Sequence, residues 1–387
     1  MRFAIVGCGY VADFYVKTLK NHPALELVGV MDRDGARAEH FARFHGLSRY
    51  RTLDEVLQDG KVEMVVNLTN PDSHFEVSRA ALDAGKHVYS EKPLSMTLPQ
   101  AEELVALAES RKLHLAGAPC SILGETAQTL WKALRENAIG TPRLVYAELD
   151  DGPIHLMDYE SWRSDSGNAW PAKDEFEVGC TLEHAGYYVT WLVNFFGPAR
   201  AVTSFASVLV PDKGTPVDRV TPDFSVACIE FANGIVARLT CSIFAPHDHV
   251  LRIMGDRGIL SIKDCWDYGS KVYLHKRSRL GLKAEKHPTA ARMVGLGPKE
   301  IPLVRKPSFA FKTKGANRMD FARGVAEVAE AIAAGRPSRM SARFALHVNE
   351  IVLAIQNPGG TGGTGTTGST RALRTTFEPI DPMPWAR

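Results

Sequence analysis

A short apolar run that ends in a glycine turn opens the chain and limits its fold more than any other feature. Residues 3–6 are continuously apolar, and Gly7-Cys8-Gly9-Tyr10-Val11-Ala12 follows directly. Apolar residues then recur at helical spacing from Val11 to Leu19. A buried strand, a turn with two glycines and a helix in this order predict the first unit of a doubly wound parallel sheet.

The small residues of this turn each have a mechanical reason to be there. Gly7 permits the tight turn, Gly9 lets the backbone approach a pyrophosphate, and Ala12 lets the helix pack closely on the strand. Free amide groups and the dipole at the start of a helix also favour negative charge. We therefore predict a dinucleotide beside the turn, in contact with Gly7, Gly9, Tyr10 and Val11.

Asp32 follows the second predicted strand, residues 25–31. An acid at this point typically accepts hydrogen bonds from the adenosine ribose hydroxyls and repels a 2′-phosphate. The sequence therefore favours NAD over NADP as the cofactor, although Arg33 beside it weakens that preference. The alternative role for Asp32 is that of a turn residue at the end of a strand.

Polar residues also follow the next predicted strand. Residues 62–68 form an apolar, β-branched run of the kind that is buried in a parallel sheet. Thr69, Asn70 and Pro71 come directly after it, and His74 starts the next helix. Because strand ends line the ligand crevice of such sheets, we expect this turn to lie along the cofactor cleft, where His74 could face the cofactor. A purely structural role is the alternative for His74.

Lys92 is the first candidate catalytic residue. The stretch from Gly85 to Ser90 is typical of a short apolar strand, and it runs directly into Glu91-Lys92-Pro93. Open α/β sheets bind their ligands at the carboxyl ends of strands, which is where this cation would stand. The alternative is a surface lysine before a turn.

Taken in series, these motifs resemble the glucose-fructose oxidoreductase, inositol dehydrogenase and MocA family. The order is Gly-x-Gly-x-x-Ala, Asp32, Thr69-x-Pro71-x-x-His74 and then Glu91-Lys92-Pro93. The resemblance implies that Lys92 bonds the nicotinamide ribose and the substrate hydroxyl. It also implies cofactor contacts for Gly7, Gly9, Asp32, Thr69, Asn70, Pro71 and Glu91.

The segment Gly179–Tyr188 carries the predicted proton chemistry. The resemblance places an aspartate and a histidine four residues apart here, whereas this chain has Glu183 and Tyr187, which share one helical face. A phenol can act as the acid or base only if a cation lowers its pKa, and Lys92 is the natural cation. We predict Tyr187 as the proton donor or acceptor, with Glu183 orienting substrate or lysine. His184 is the second candidate base, and packing is the alternative for Tyr187.

Substrate contacts are predicted from the residues that precede this helix. Trp162, Arg163 and the loop 164–178 with Trp170 mix aromatic and hydrogen-bonding groups, which suits a polyhydroxylated ligand; a solvated loop is the alternative. In His247-Asp248-His249, adjacent residues on a strand point to opposite faces, so only the two histidines could share a ligand. We therefore predict no metal.

Two folded domains are expected. An α/β Rossmann domain with a doubly wound parallel sheet would span residues 1–121. An α+β domain with a large, mostly antiparallel open sheet would span residues 122–356 and bind substrate, its final helices packing back on the first domain. Asn233-Gly234 between two alternating runs predicts one of its hairpins. The uncovered face of the sheet predicts a homodimer or homotetramer.

The end of the chain is expected to be less regular. Residues 277–315 are basic and punctuated by glycine, and they could form a lid or an oligomer arm. Residues 357–370 are nearly all Gly and Thr, which predicts a linker. In the tail 371–387, Phe377 and Trp385 could anchor on the fold.

The composition excludes several classes of partner. A net charge of +2 with interspersed acids and bases offers no footprint for nucleic acid or an anionic membrane surface. No apolar run approaches the roughly 18 residues of a membrane helix. The six cysteines lie mostly in apolar runs without paired metal spacing, which predicts free thiols in a reducing cytoplasm.

The expected activity is hydride transfer between a nicotinamide and a secondary alcohol or ketone of a sugar, sugar derivative or cyclitol, so the partner is a small carbohydrate or polyol. Two alternatives share the fold that the resemblance implies. One is an NAD-dependent glycosidase that oxidises its substrate transiently and eliminates the aglycone. The other is a sensor that binds the nucleotide without catalysis, against which the presence of Lys92 argues.

Overall fold

The structure of the chain is a computed structural model, and it describes residues 1–277, 295–309, 318–359 and 369–387, with positions 287, 289 and 293. Much of the predicted lid or arm at 277–315 therefore lies outside the described residues. Of the predicted linker 357–370, residues 360–368 also lie outside them.

The first domain is the predicted Rossmann fold. Its strands are β1 Arg2–Val6, β2 Glu26–Met31, β3 Met64–Asn67, β4 His87–Ser90 and β5 Leu115–Gly117. They form a parallel sheet in the order β2-β1-β3-β4-β5. Because the strand order reverses between β1 and β3, a ligand crevice is expected at the carboxyl ends of β1, β3 and β4. The helices are α1 Ala12–Thr18, α2 Gly35–His45, α3 Leu53–Gln58, α4 His74–Asp83 and α5 Leu98–Ser110.

The second domain contains a nine-stranded sheet in the order β13-β12-β11-β10-β6-β9-β8-β7-β14. Its pairs are antiparallel except for β6 and β9. The strands are β6 Pro142–Asp150, β7 Ala199–Ser207, β8 Phe224–Phe231, β9 Val236–Ser242, β10 Leu251–Gly255, β11 Gly258–Ile262, β12 Val272–Lys276, β13 Lys299–Ile301 and β14 Ser369–Ala372. The helices are α6 Glu125–Arg135, α7 Ala172–Val178, α8 Gly186–Phe196, α9 Arg323–Ala333 and α10 Ala342–Gln356. The predicted fold class is thereby confirmed.

Helix α10 connects the two domains. It begins at a capped end, where the Ser341 hydroxyl accepts a hydrogen bond from the Phe344 amide at 3.3 Å. It then packs on α5 of the first domain and on β7 of the second. Asn349 on this helix donates to the Ser95 carbonyl at 3.2 Å, just after the Lys92 turn. The relative position of the two domains is therefore held directly behind the candidate catalytic lysine.

The C-terminal segment is a packed part of the fold. Ser369 and Thr370, predicted to end the linker, belong to β14 and pair with β7, which corrects that boundary. The Phe377 ring is buried and lies 5.1 Å from the Phe344 ring. The Arg305 guanidinium lies 3.8 Å from the Trp385 ring centre. Among the helices in the described residues, none has both the length and the apolar character that spanning a bilayer requires.

Candidate active site

The glycine turn has the shape that a bound pyrophosphate needs. Gly7 has φ +101°, and a Cβ there would stand 2.4 Å from the Leu68 carbonyl oxygen at the end of β3. A Cβ at Gly9 would meet nothing within 4 Å, so this side of the turn faces open space. Tyr10 and Val11 are half-buried beside it. The residues present therefore fit a dinucleotide held by Gly7, Gly9, Tyr10 and Val11.

Asp32 forms hydrogen bonds that stabilise the glycine turn, and these individual contacts were not predicted from the sequence. Its buried carboxylate accepts hydrogen bonds from the Cys8 and Asp34 amides, each at 2.8 Å. The Arg37 guanidinium lies 3.6 Å from the same carboxylate, whereas Arg33 is exposed. Asp32 thus ties the glycine turn to the start of α2, in addition to standing where a ribose would bind.

A loop from the second domain covers this turn, and we name residues 164–170 the strap. Asn168 donates to the Cys8 carbonyl at 3.0 Å, and the Ser166 hydroxyl donates to Asp13 at 2.7 Å. Lys17 of α1 forms an ion pair with Asp165 at 3.0 Å. The strap therefore fixes the second domain onto the cofactor side of the first.

The aromatic residues around the strap pack against one another. The Trp170 ring lies 5.2 Å from the Trp162 ring and 5.8 Å from the Phe176 ring. The Arg163 guanidinium is exposed and donates to the Glu160 and Trp162 carbonyls. The substrate-binding role of Trp162, Arg163 and Trp170 stays a prediction. The predicted loop 164–178 is shorter than expected, since residues 172–178 form α7.

The residues after β3 form a network that supports the lysine turn. The Thr69 hydroxyl donates to Asn67 at 2.7 Å, and Asn70 accepts from Ser73 at 2.6 Å, while Pro71 opens the turn before α4. Both ring nitrogens of buried His74 face carbonyl oxygens, of Pro93 at 2.7 Å and of Thr69 at 2.9 Å. Neither nitrogen is left for a ligand, so the predicted cofactor contact of His74 is corrected to a structural role.

Glu91 fixes the position of the turn that carries Lys92 by accepting two hydrogen bonds. Its buried carboxylate accepts one hydrogen bond from the Tyr15 hydroxyl at 2.7 Å and another from the Lys92 amide at 3.0 Å. Tyr15 lies on α1, directly after the glycine turn. The position of Lys92 is therefore coupled to the helix that would receive the cofactor.

Lys92 forms an ion pair with Glu183 across the boundary between the domains. The side chains are 19% and 5% exposed, so the pair is largely withdrawn from water. Burial alone would lower the pKa of Lys92, but the carboxylates of Glu183 and Glu175 outweigh it and raise that pKa above its ordinary value. Burial raises the pKa of Glu183 against the opposing effect of Lys92. The lysine is therefore a fixed ammonium.

Glu175 is a second acid near the same ammonium, and its side chain is half-buried. Burial and the nearby Glu183 raise the pKa of Glu175 well above its ordinary value, with Lys92 opposing them. One ammonium thus faces two carboxyl groups. Because two neighbouring carboxylates repel each other, we expect Glu175 to hold a proton while Glu183 pairs with Lys92.

Glu183 reaches Lys92 because the backbone widens into a π-helical turn, Thr181–Ala185, directly before α8. Gln356 at the end of α10 fixes the entry to this turn, donating to the Val178 carbonyl at 2.5 Å and accepting from the Leu182 amide at 3.2 Å. Gly179 has φ +96°, and a Cβ there would stand 2.7 Å from the Gln356 side chain. Glycine is therefore required where the chain passes Gln356.

Tyr187 follows Glu183 on the same helical path. Its ring lies 5.3 Å from the Trp266 ring, edge to face. Burial raises the pKa of Tyr187 above its ordinary value, and Lys92 opposes this only in part. Lys92 acts in the expected direction, but burial outweighs it, and the carboxylates of Glu91 and Glu175 also raise the pKa of Tyr187.

His184 faces away from the lysine. Its Nε2 lies 3.3 Å from an oxygen of Asp151, at the end of β6. Burial lowers the pKa of His184 to about 4, so the ring is neutral near pH 7. The structure thus brings Lys92, Glu183 and Tyr187 together and places the second candidate base beside a different carboxylate.

A narrow crevice of about 10 Å³, room for about one water molecule, lies between Glu91 and Tyr187. Residues 118–121, which follow β5, form one wall, and Phe321 and Met319 form another. The lining is mainly apolar, with a carboxylate at one side and a phenol at the other. The apolar walls and the two polar ends match a small polar ligand in chemical character, but the crevice as it stands has no room for a sugar.

Several residues that shape the site were not predicted. Glu175, Asn168 and Gln356 act through contacts with segments far away in the sequence. Glu175 and Asn168 stand in a conspicuously polar loop, which was the available signal. No local pattern singles out Gln356.

Comparisons with known proteins agree with the motifs. Residues 1–117 match the model of an oxidoreductase family with an NAD-binding Rossmann fold, and residues 127–261 match the GFO/IDH/MocA C-terminal domain. The chain is 26% identical to trans-1,2-dihydrobenzene-1,2-diol dehydrogenase of Oryctolagus cuniculus over 301 residues, which cover 76% of this chain and 85% of the relative.

Solved structures share the whole fold. Aldose-aldose oxidoreductase from Caulobacter crescentus, complexed with glycerol, has a TM-score of 0.73 at 19% identity and covers 96% of this chain and 99% of that chain. KijD10, a 3-ketoreductase from Actinomadura kijaniata in complex with NADP, has a TM-score of 0.69 at 20% identity and covers 92% and 97%. The two family models, in chain order and covering most of both domains, show that this chain belongs to the GFO/IDH/MocA family of NAD(P)-dependent oxidoreductases.

Proposed function

We propose that the chain catalyses hydride transfer between NAD and a secondary alcohol or ketone of a sugar, sugar derivative or cyclitol. The observation that carries this proposal is the buried ion pair between Lys92 and Glu183, because it places a permanent cation at the end of a Rossmann strand. Tyr187 and Glu175 lie around that cation. Relatives that are dehydrogenases and reductases support the reaction class.

The groups of the chain would handle the proton of the substrate oxygen. Bound NAD would supply the hydride acceptor. The Tyr187 phenol would donate its proton to a carbonyl oxygen; because burial raises its pKa, the developing tyrosinate would depend on the Lys92 ammonium for stabilisation. The Lys92 ammonium can donate hydrogen bonds to the same oxygen while Glu183 holds its direction. In the oxidation direction these groups take the proton back.

NAD is proposed over NADP on charge grounds. A 2′-phosphate would approach the Asp32 carboxylate. Arg37, the nearest cation, already lies 3.6 Å from both Asp32 and Asp34. We expect kcat/KM to favour NAD by about tenfold or more, which corresponds to about 1.4 kcal/mol. A preference for NADP would contradict this assignment.

We further propose a homodimer or homotetramer formed through the open face of the second sheet. Val226 and Cys228 on β8 lie on that face with Arg238 of β9. Sedimentation or light scattering of the native chain and of Val226→Glu would test this. A native monomer, or an unchanged oligomer in the variant, would count against it.

The activity is tested with a panel of sugars, sugar acids and cyclitols by NADH formation, and with matching ketones by NADH consumption. Lys92→Met should then lower turnover on the best substrate by a factor on the order of 100 to 10,000, with NAD affinity nearly unchanged. Lys86→Met is the matched control, because Lys86 lies just before β4, at the strand end opposite Lys92, and bonds only backbone carbonyls in the described contacts. Near-normal turnover in Lys92→Met would defeat the proposal.

A further inference from the structure

A pairing between two distant segments brings potential metal ligands together. Asp150 and Asp248 form an isolated antiparallel bridge, with hydrogen bonds of 3.0 and 2.9 Å between their backbones. Neighbouring residues on extended strands point to the opposite face. Asp151 therefore shares one face with His247 and His249, although about 100 residues separate them in the sequence.

From this arrangement we propose that Asp151, His247 and His249 bind a divalent transition-metal ion, with Zn²⁺ as the first candidate. One ligand atom from each of the three residues lies within 4.8 Å of the other two. This inference goes beyond the proposed hydride transfer and does not depend on it. It also departs from the expectation of no metal, which considered the two histidines without Asp151.

The distances fit an ion of the size of zinc. Oδ1 of Asp151 lies 2.9 Å from Nε2 of His249 and 3.9 Å from Nδ1 of His247. Ligands at about 2.0–2.1 Å from a tetrahedral Zn²⁺ are separated by about 3.3 Å. The observed separations lie on either side of that value, so small side-chain adjustments would complete the site.

The surrounding groups also match those of metal sites. Nδ1 of His249 lies 3.3 Å from Asp264, so the ring can donate its second N–H to a carboxylate, as metal-binding histidines commonly do. His184 lies 3.3 Å from Oδ2 of Asp151 without forming a hydrogen bond to it. His249 thus has the outer carboxylate that a metal-binding histidine commonly has.

An unpartnered buried atom gives independent support. The Asp151 side chain is only 10% exposed, and its Oδ2 has no hydrogen-bond partner even though His184 is near. Leaving a buried charged oxygen without a partner is costly. An ion bound by both oxygens of this carboxylate would remove that cost.

The competing explanation is an ion-pair network without metal, in which His249 lies between Asp151 and Asp264. That network does not explain the orientation of the His247 ring. Its side chain is 57% exposed, yet its ring lies 4.2 Å from the His249 ring and turns Nδ1 toward the same oxygen. Two imidazoles converging on one carboxylate oxygen are typical of a metal ligand set.

The site would lie close to the proposed catalytic groups. The Trp266 ring contacts the His249 ring at 4.5 Å and the Tyr187 ring at 5.3 Å. Three protein ligands leave a coordination position open. Because His247 is exposed, this position would be accessible to water or to an oxygen of a ligand.

Zinc binding by the tag-free, full-length chain tests the inference. The chain is stripped with a chelator and titrated with Zn²⁺ against a chromophoric competitor, and bound metal is counted after gel filtration. We expect about one ion per chain, and no comparable binding of Mg²⁺, which disfavours imidazole ligands. His247→Ala should abolish this binding. Asp264→Asn should weaken it by about 10–100-fold, as changes of outer partners do.

Two further variants distinguish the loss of a metal ligand from the loss of folded structure. His275→Ala removes a partly exposed histidine on β12 that pairs near the start of β11, away from the cluster, and should bind like the native chain. Asp151→Asn is nearly isosteric and should lose the ion while keeping a native melting temperature. Less than about a tenth of an ion per chain, or equal binding by His247→Ala and His275→Ala, would overturn the proposal and leave the hydride-transfer proposal untouched.

Discussion

Removing the ammonium of Lys92 should make the stability of the chain depend on pH. In Lys92→Met, Glu183 loses its partner while its side chain remains almost fully buried. Breaking a buried ion pair from one side typically costs about 3–5 kcal/mol, because a charge is left uncompensated. A carboxyl group can avoid that cost by taking up a proton. The free energy of protonating it at a given pH is therefore the upper limit of the stability that the variant loses.

The limit follows from the ordinary pKa of a glutamate, about 4.3. Keeping Glu183 protonated costs about 1.4 kcal/mol for each pH unit above that value. The loss of unfolding free energy in the variant is therefore at most about 3.7 kcal/mol at pH 7 and about 1.6 kcal/mol at pH 5.5. Burial already raises the pKa of Glu183 in the native pair. The folded variant therefore holds a proton that the unfolded chain releases, so its stability falls as pH rises through this range.

Denaturant unfolding of four chains at pH 5.5 and pH 7 measures this effect. Lys92→Met should lose about 2 kcal/mol more at the higher pH. The double variant Lys92→Met with Glu183→Gln has no charge to bury, and it should return to within about 1 kcal/mol of the native chain at both pH values. Lys86→Met serves as the control, since its Nζ bonds carbonyls of Asp59 and Val62. An equal loss at both pH values, or no recovery in the double variant, would refute the reasoning.

Three further substitutions test other parts of the site and fold. Tyr187→Phe should lower turnover by a factor on the order of 100 to 10,000 with NAD affinity unchanged; a small effect in steady-state assays would point to His184. Asn168→Ala removes the hydrogen bond to Cys8 and should weaken NAD binding by about 2–10-fold in calorimetry, whereas unchanged affinity would show that the strap does not support the turn. Phe377→Ala should cost about 3–5 kcal/mol in denaturant unfolding; less than about 1 kcal/mol would mean that the tail is dispensable.

The sequence was most informative where function follows from a local pattern. Gly7 and Lys92 each stand at the end of a strand, and the rule that parallel strands present their carboxyl ends at one edge was enough to place them together. The spacing of Glu183 and Tyr187 likewise predicted a shared face. In each case the neighbours along the chain determine the direction of the side chain.

The residues whose surroundings the sequence did not predict depend on contacts between distant segments. Trp170 was expected to cover a ligand, and its ring also packs against Trp162 and Phe176, because α7 follows it at once. His74 was expected to contact the cofactor, but its buried ring lies between the carbonyls of Pro93 and Thr69. A single sequence does not show which distant segment will meet a given side chain.

The protonation of Tyr187 shows how such distant contacts alter chemistry. Considered alone, Lys92 beside a phenol predicts a lowered pKa and a ready base. Lys92 does oppose the shift, but burial outweighs it, and Glu91 and Glu175 add to it, so the pKa of Tyr187 rises above its ordinary value. A phenol with a raised pKa is a weak proton donor, because general acids work best with a pKa near the operating pH. Proton transfer at Tyr187 in either direction would therefore depend on the Lys92 ammonium beside the developing tyrosinate.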